Sequence, residues 1–148
     1  MDKNLVAFCG LYCGDCAGYS GEIADAAQSL LSSIQKYDFT KTAQCLFSED
    51  LEDMDGFLKR LTFIATLRCT AVCRLKTEGE TKCAIRVCCR NKGFRACYEC
   101  DGFEQCEKLA HMKDLHGDSC IKNLTGIKSM GLEQWLEKGT RYWFGDIS

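Results

Sequence analysis

"RCTAVCRLKTEGETKCAIRVCCRNKGFRACYECDGFEQCEKL", residues 68–109, holds eight of the chain's thirteen cysteines. Its reading decides what kind of fold the rest can form. Thiols at this density hold either a disulfide framework or metal ions. Within the stretch, Cys97 and Cys100 form a C-x2-C pair, the bite a tetrahedral zinc ion takes with Zn–S of about 2.3 Å. Cys106 stands where the next helix could supply a third ligand. Cys69 and Cys73 form a C-x3-C pair within ligand spacing, and Cys83 and Cys88 a looser one.

The same pattern recurs near the N-terminus in "CGLYCGDC", where Cys9, Cys13 and Cys16 stand at C-x3-C-x2-C. Disulfides would require an oxidising compartment. The opening "MDKNLVAFCGLYCGDC" has no signal-peptide apolar region, and the odd cysteine count would leave one thiol unpaired. No apolar run approaches the length of a membrane span. The expectation is therefore a cytoplasmic metalloprotein. The other thiols read as structural: Cys45 as a small buried side chain, Cys89 as core-facing, and Cys120 as open to either role. His111 and His116, five apart, do not share a helix face for one ion.

Working outward, the 148 residues suit one domain. Glycines punctuate a chain that lacks proline. Ile23, Ala27, Leu30, Leu31 and Ile34 predict a helix over 22–37 with one apolar stripe. A second helix is predicted from near Ser48, with Glu49, Asp50, Glu52 and Asp53 at its positive end. Its buried face would comprise Leu51, Met54, Phe57, Leu58, Leu61, Ile64 and Ala65. "CAIRVCCRNKG" predicts a short helix ended by a left-handed Gly93, and "FEQCEKLAHM" another. The tail predicts two helices broken at Gly131. Strands, at most, are short ones near Thr81–Ala84 and Phe94–Tyr98. The predicted fold is a mainly α, small cysteine-rich metal-binding domain, its short helices linked by zinc-knuckle-like loops. One domain, 1–148, comprises a helical part 20–67, a cysteine-rich core 68–109 and a helical tail 118–139.

Charge is uneven. Residues 1–58 carry 3 basic and 10 acidic side chains, and residues 59–95 carry 10 basic and 2 acidic. That basic block lacks interleaved aromatics and a recognition motif for nucleic acid. It reads instead as compensation for anionic thiolate sites, since four thiolates on one zinc ion leave a net negative charge.

Two resemblances bear on the opening triplet and its companions. C-x3-C-x2-C is similar to the cluster-binding triplet of radical S-adenosylmethionine enzymes. Here, however, Asp15 stands where they usually place an aromatic residue, and the chain is too short for their partial barrel. The second resemblance covers most of the chain. "CGLYCGDC", "RCTAVC", "CAIRVCCRNKG", "CYECDGFEQCEKL" and "NLTGIKSMGLEQWLEKGTRYW" occur in the order seen in the prokaryotic cysteine-rich domain-of-unknown-function family 3795, whose members are described as zinc-binding. Carried over by position, the resemblance implies ten metal ligands: Cys9, Cys13, Cys16, Cys69, Cys73, Cys83, Cys88, Cys97, Cys100 and Cys106. Two departures stand out. Gln105 replaces the family's usual proline, and "YWFGDIS" stands where many members carry a further C-x2-C pair. A site built on that pair would be missing here or would borrow Cys120.

The family brings no established activity. No H-E-x-x-H, nucleophile elbow or phosphate loop is present. The expected function is a non-enzymatic zinc domain with structural thiolate sites and a surface for a protein partner. An iron–sulfur electron carrier or redox sensor is the alternative, since thiolates suit both metals. A nucleic-acid-binding zinc protein comes third. Partner identity and oligomeric state are not readable from these residues.

Overall fold

A computed structural model describes residues 1–76 and 83–144. The chain forms two compact units, one of residues 17–70 and one that joins 1–16 to 71–148.

The regular elements of the 17–70 unit are helices: α1 (Ala17–Ser20), α2 (Glu22–Lys36), α3 (Phe39–Leu46) and α4 (Met54–Ala65). α2 and α4 pack through Ala27, Ile34 and Leu61, with Leu31, Leu58, Ile64 and Ala65 against them. The buried stripe of α2 keeps the predicted Ala27, Leu31 and Ile34 but is narrower than predicted. Ala24 is buried, while Ile23 and Leu30 are exposed. α4 begins at Met54 and not near Ser48 because Asp53 is the stronger cap. Its Oδ1 accepts from the Gly56 N–H at 3.0 Å, leaving 48–53 as turns. α3 has no counterpart in the sequence reading. Its N-cap, Asp38, sits at φ 47° and makes no side-chain cap. Cys45 lies on α3 and is exposed, which corrects its expected burial.

The other unit contains α5 (Ala84–Asn91), α6 (Glu107–Ala110), α7 (Lys113–His116), α8 (Ser119–Met130) and α9 (Leu132–Lys138). α5 ends as predicted. Gly93 takes φ 68°, its N–H donates to Arg90 O, and the Phe94 N–H reaches back to Cys89 O at 2.9 Å. This is a Schellman closure, and it turns Cys89 and Phe94 toward the same core. Gly131, at φ 83°, separates α8 from α9. Phe94–Tyr98 is not a strand: it is a bend that leads into a 3-10 turn at Cys97–Glu99. Thr81 and Lys82, in the other expected strand, lie outside the described residues. Among the described residues the β structure is one isolated antiparallel bridge, Val6 with Tyr12.

That bridge closes a tight N-terminal loop, with the Ala7 N–H donating to Leu11 O at 2.8 Å. Gly10 occupies its corner at φ 88°. A Cβ there would lie 2.8 Å from Leu124 Cγ, in a backbone region that L side chains rarely adopt. Gly10→Ala should therefore destabilise this unit by about 1–3 kcal/mol, read as a lower urea midpoint with an unchanged slope.

The described residues include no helix long and apolar enough to cross a membrane.

Candidate metal centre

Eleven of the thirteen cysteines belong to the unit formed by 1–16 and 71–148, and nine of these meet at one apolar core. Cys9, Cys89, Cys97 and Cys120 are buried in it alongside Phe8, Leu11, Ile85, Phe103 and Leu124. Cys13, Cys73, Cys83, Cys100 and Cys106 pack partly buried against it. Cys16 and Cys88 are half-buried. Cys69 belongs to the 17–70 unit and is exposed, its N–H donating to Gly18 O.

Local geometry explains how the thiols are presented. Each C-x2-C pair brackets one 3-10 turn, with the Cys16 N–H on Cys13 O at 3.1 Å and the Cys100 N–H on Cys97 O at 2.9 Å. At three residues per turn, positions i and i+3 eclipse, so both pairs tend to present their sulfurs to one side. The N-terminal loop docks on the second turn through the Cys97 N–H, which donates to Phe8 O at 2.9 Å.

One thiol pair touches. Cys89 Sγ and Cys97 Sγ are 3.5 Å apart. Their hydrogen bond pushes the Cys97 thiol far up, with burial adding to the effect, and holds Cys89 down. Cys9, on the N-terminal loop, and Cys120, on α8, are buried in the same core. Interaction with the Cys120 thiol and burial raise Cys9, and Cys120 is lowered by its interaction with Cys9. Burial also raises Cys13 and Cys73. Against it work backbone amides aimed at the sulfurs, the Cys73 N–H toward Cys13 and the Phe8 N–H toward Cys73. Arg86, 2 % exposed, adds its positive charge near Cys73.

The basic block is partly consumed by this architecture. Arg74 donates through Nε to Val6 O at 2.6 Å and through Nη1 to Arg95 O at 2.7 Å, with its guanidinium over the Phe8 ring. Arg90 donates to Lys76 O at 2.8 Å.

The donor set fits a thiophilic metal in kind. Soft sulfurs are screened from water, and backbone N–H groups point at them, as they do around metal-bound thiolates. The 3.5 Å between Cys89 and Cys97 is also close to the S···S edge of about 3.8 Å in a tetrahedral zinc–thiolate site. The contacts are pairwise, however: among the described residues no three Cys, His, Asp or Glu side chains are gathered as a set for one ion. Cys89 and Cys120, both buried in this core, are absent from the ten predicted ligands. A signal for Cys89 was available, because a glycine-closed helix turns that position inward. Cys120 meets Cys9 only through the packing of α8, and no local pattern foretells it.

The model of the family described as protein of unknown function DUF3795 matches residues 5–111. The chain belongs to this family. The match includes all ten predicted ligands and Cys89. Cys120 and the "IKSMG" tail lie beyond it. No curated protein and no solved structure matches the chain. Membership of DUF3795 thus identifies the cysteine framework and assigns it no chemistry.

Proposed function

We propose that this DUF3795 protein is a zinc-binding domain whose thiolate sites hold the 1–16 and 71–148 unit together, and that it serves as a module for binding another protein. The supporting observation is the convergence of nine thiols on one core. Cys97 and Cys89 would supply one pair of ligands and Cys9 and Cys120 another. Cys13, Cys73, Cys83, Cys100 and Cys106 remain available from the same core. When bound, zinc would supply a cross-link between segments distant in the chain. Fully thiolate sites are typical of structural zinc, because catalytic zinc keeps an open position. Cytoplasmic residence, where thiols stay reduced, follows from the same reading.

Elemental analysis of protein purified without oxygen tests the metal. Zinc in a colourless protein at one or more ions per chain is expected. Iron with acid-labile sulfide and a visible charge-transfer band would instead favour the electron-carrier alternative. Less than a tenth of an equivalent of any metal would overturn both.

A second expectation concerns the basic block. Arg74 and Arg90 are engaged with carbonyl oxygens, and Arg86 is buried. Duplex DNA and structured RNA should therefore bind weakly and without sequence preference at physiological salt. A sequence-specific Kd of about 10⁻⁸ M or tighter would show that the block serves nucleic acid.

A further inference from the structure

We propose that an open cleft in the 17–70 unit is a docking groove for a basic amphipathic helix of a partner protein. The inference rests on the protein-binding reading above, but involves none of its thiols. The cleft measures about 610 Å³. Its walls are Leu30 and Ile34 along one side of α2, Tyr37 just past its end, Phe39 at the start of α3, and Met54 and Phe57 in the first turn of α4. Leu30 and Phe57 carry the periodicity of core residues, yet are 45 % and 41 % exposed, and Tyr37 is 69 % exposed. Apolar side chains in core register that face water across a shared cleft mark an interaction surface.

The chemistry of the lip selects the occupant. Asp50 and Glu52 line the cleft, and among the described residues neither forms an ion pair. Asp53, beside them, is already engaged by Arg60 at 3.0 Å and by the cap to Gly56. A ligand that fills the walls and satisfies the lip needs an apolar face flanked by Lys or Arg. A small molecule would be poorly enclosed in so open a cleft, since such ligands bury most of their surface. Strand addition needs an exposed sheet edge, and the described residues form no sheet. A helix laid in the groove, anchored at i, i+3 or i+4 and i+7, meets both requirements.

The test uses the full chain, with its metal content measured beforehand, so that failure of the groove and failure of the zinc reading are told apart. The probes are two synthetic helices of about 15 residues, one with leucine on one face and lysine elsewhere, and one with glutamate in place of lysine. Calorimetry should give a Kd of about 10⁻⁵ M or tighter for the lysine peptide, and binding at least about tenfold weaker for the glutamate peptide. Phe57→Ala and Leu30→Ser, both at exposed positions, should keep the helical circular dichroism and weaken binding by about tenfold each. Asp50→Lys should weaken it and flatten its salt dependence. No measurable binding, equal binding of both peptides, or binding indifferent to these substitutions would overturn the proposal. So would self-association of the chain that Phe57→Ala abolishes, because a second copy would then be the occupant.

Discussion

Cys97→Ser should cost the protein most of its zinc and unfold the unit that contains it, whereas Cys45→Ser should do neither. The contrast comes from position. Cys97 is buried in the thiol core, touches Cys89 and carries the amide that anchors the N-terminal loop through Phe8. Cys45 is exposed on α3, in the other unit. Zinc binding to small thiolate sites is worth about 10–16 kcal/mol, as much as the whole net stability of a typical domain, about 5–15 kcal/mol. Chelation under reducing conditions should therefore melt α5, α8 and α9, and zinc add-back should restore them. α2 and α4 should persist, since their shared core of Ala27, Ile34 and Leu61 contains no thiol. Circular dichroism during the titration reads the loss as a partial fall in helicity. Full helicity and an unchanged melt after verified metal removal would show that the metal is not structural. Equal zinc loss in Cys97→Ser and Cys45→Ser would refute the ligand assignment.

Trp135→Ala should destabilise the same unit by about 3–5 kcal/mol, the range for deleting a large buried aromatic side chain. Trp135 is 1 % exposed and packs with Val6, Tyr12, Ile127 and Leu136. Its ring lies against Gly126 and Gly139, where an added Cβ would sit 3.1 and 2.4 Å from Trp135 Cδ1. Few neighbours could move in to fill the space, so the cavity penalty should be close to full. The loss bears on the thiol core because Val6 and Tyr12, which Trp135 supports, close the loop that presents Cys9. Trp135→Phe should cost less, by retaining most of the ring volume. Urea unfolding followed through the remaining Trp143 fluorescence measures both variants. A loss below about 1 kcal/mol for Trp135→Ala would mean that the loop is held by other contacts.

Residue patterns alone determined several features of this protein. Spacing at three and four residues located α2 and the body of α4, though not the start of α4 at Met54. Glycine chemistry set the end of α5 at Gly93 and the break at Gly131. The cysteine motifs identified the family, and the C-x2-C turns came out as the compact brackets that their spacing implies. These features are local, governed by residues within a turn or two of one another.

Only the tertiary structure decided which thiols meet. Cys120 reaches Cys9 because α8 packs against the N-terminal loop, and Asp15 is tied to Arg141 at 2.9 Å near the far end of the chain. Asn123, fully buried, holds that end with two hydrogen bonds to the backbone of Tyr142, and His116 Nδ1 lies 2.6 Å from Trp143 O. Nothing local in the sequence marks Asn123, and His116 stands there only beside His111 as a pair that does not share a helix face. The structure likewise decided that Leu30 and Phe57, apolar and correctly spaced for a core, line a cleft. A hydrophobic period specifies which side of a helix is apolar. Whether that side is covered depends on the neighbouring helices, and between α2 and α4 the shared core fills only part of the apolar width.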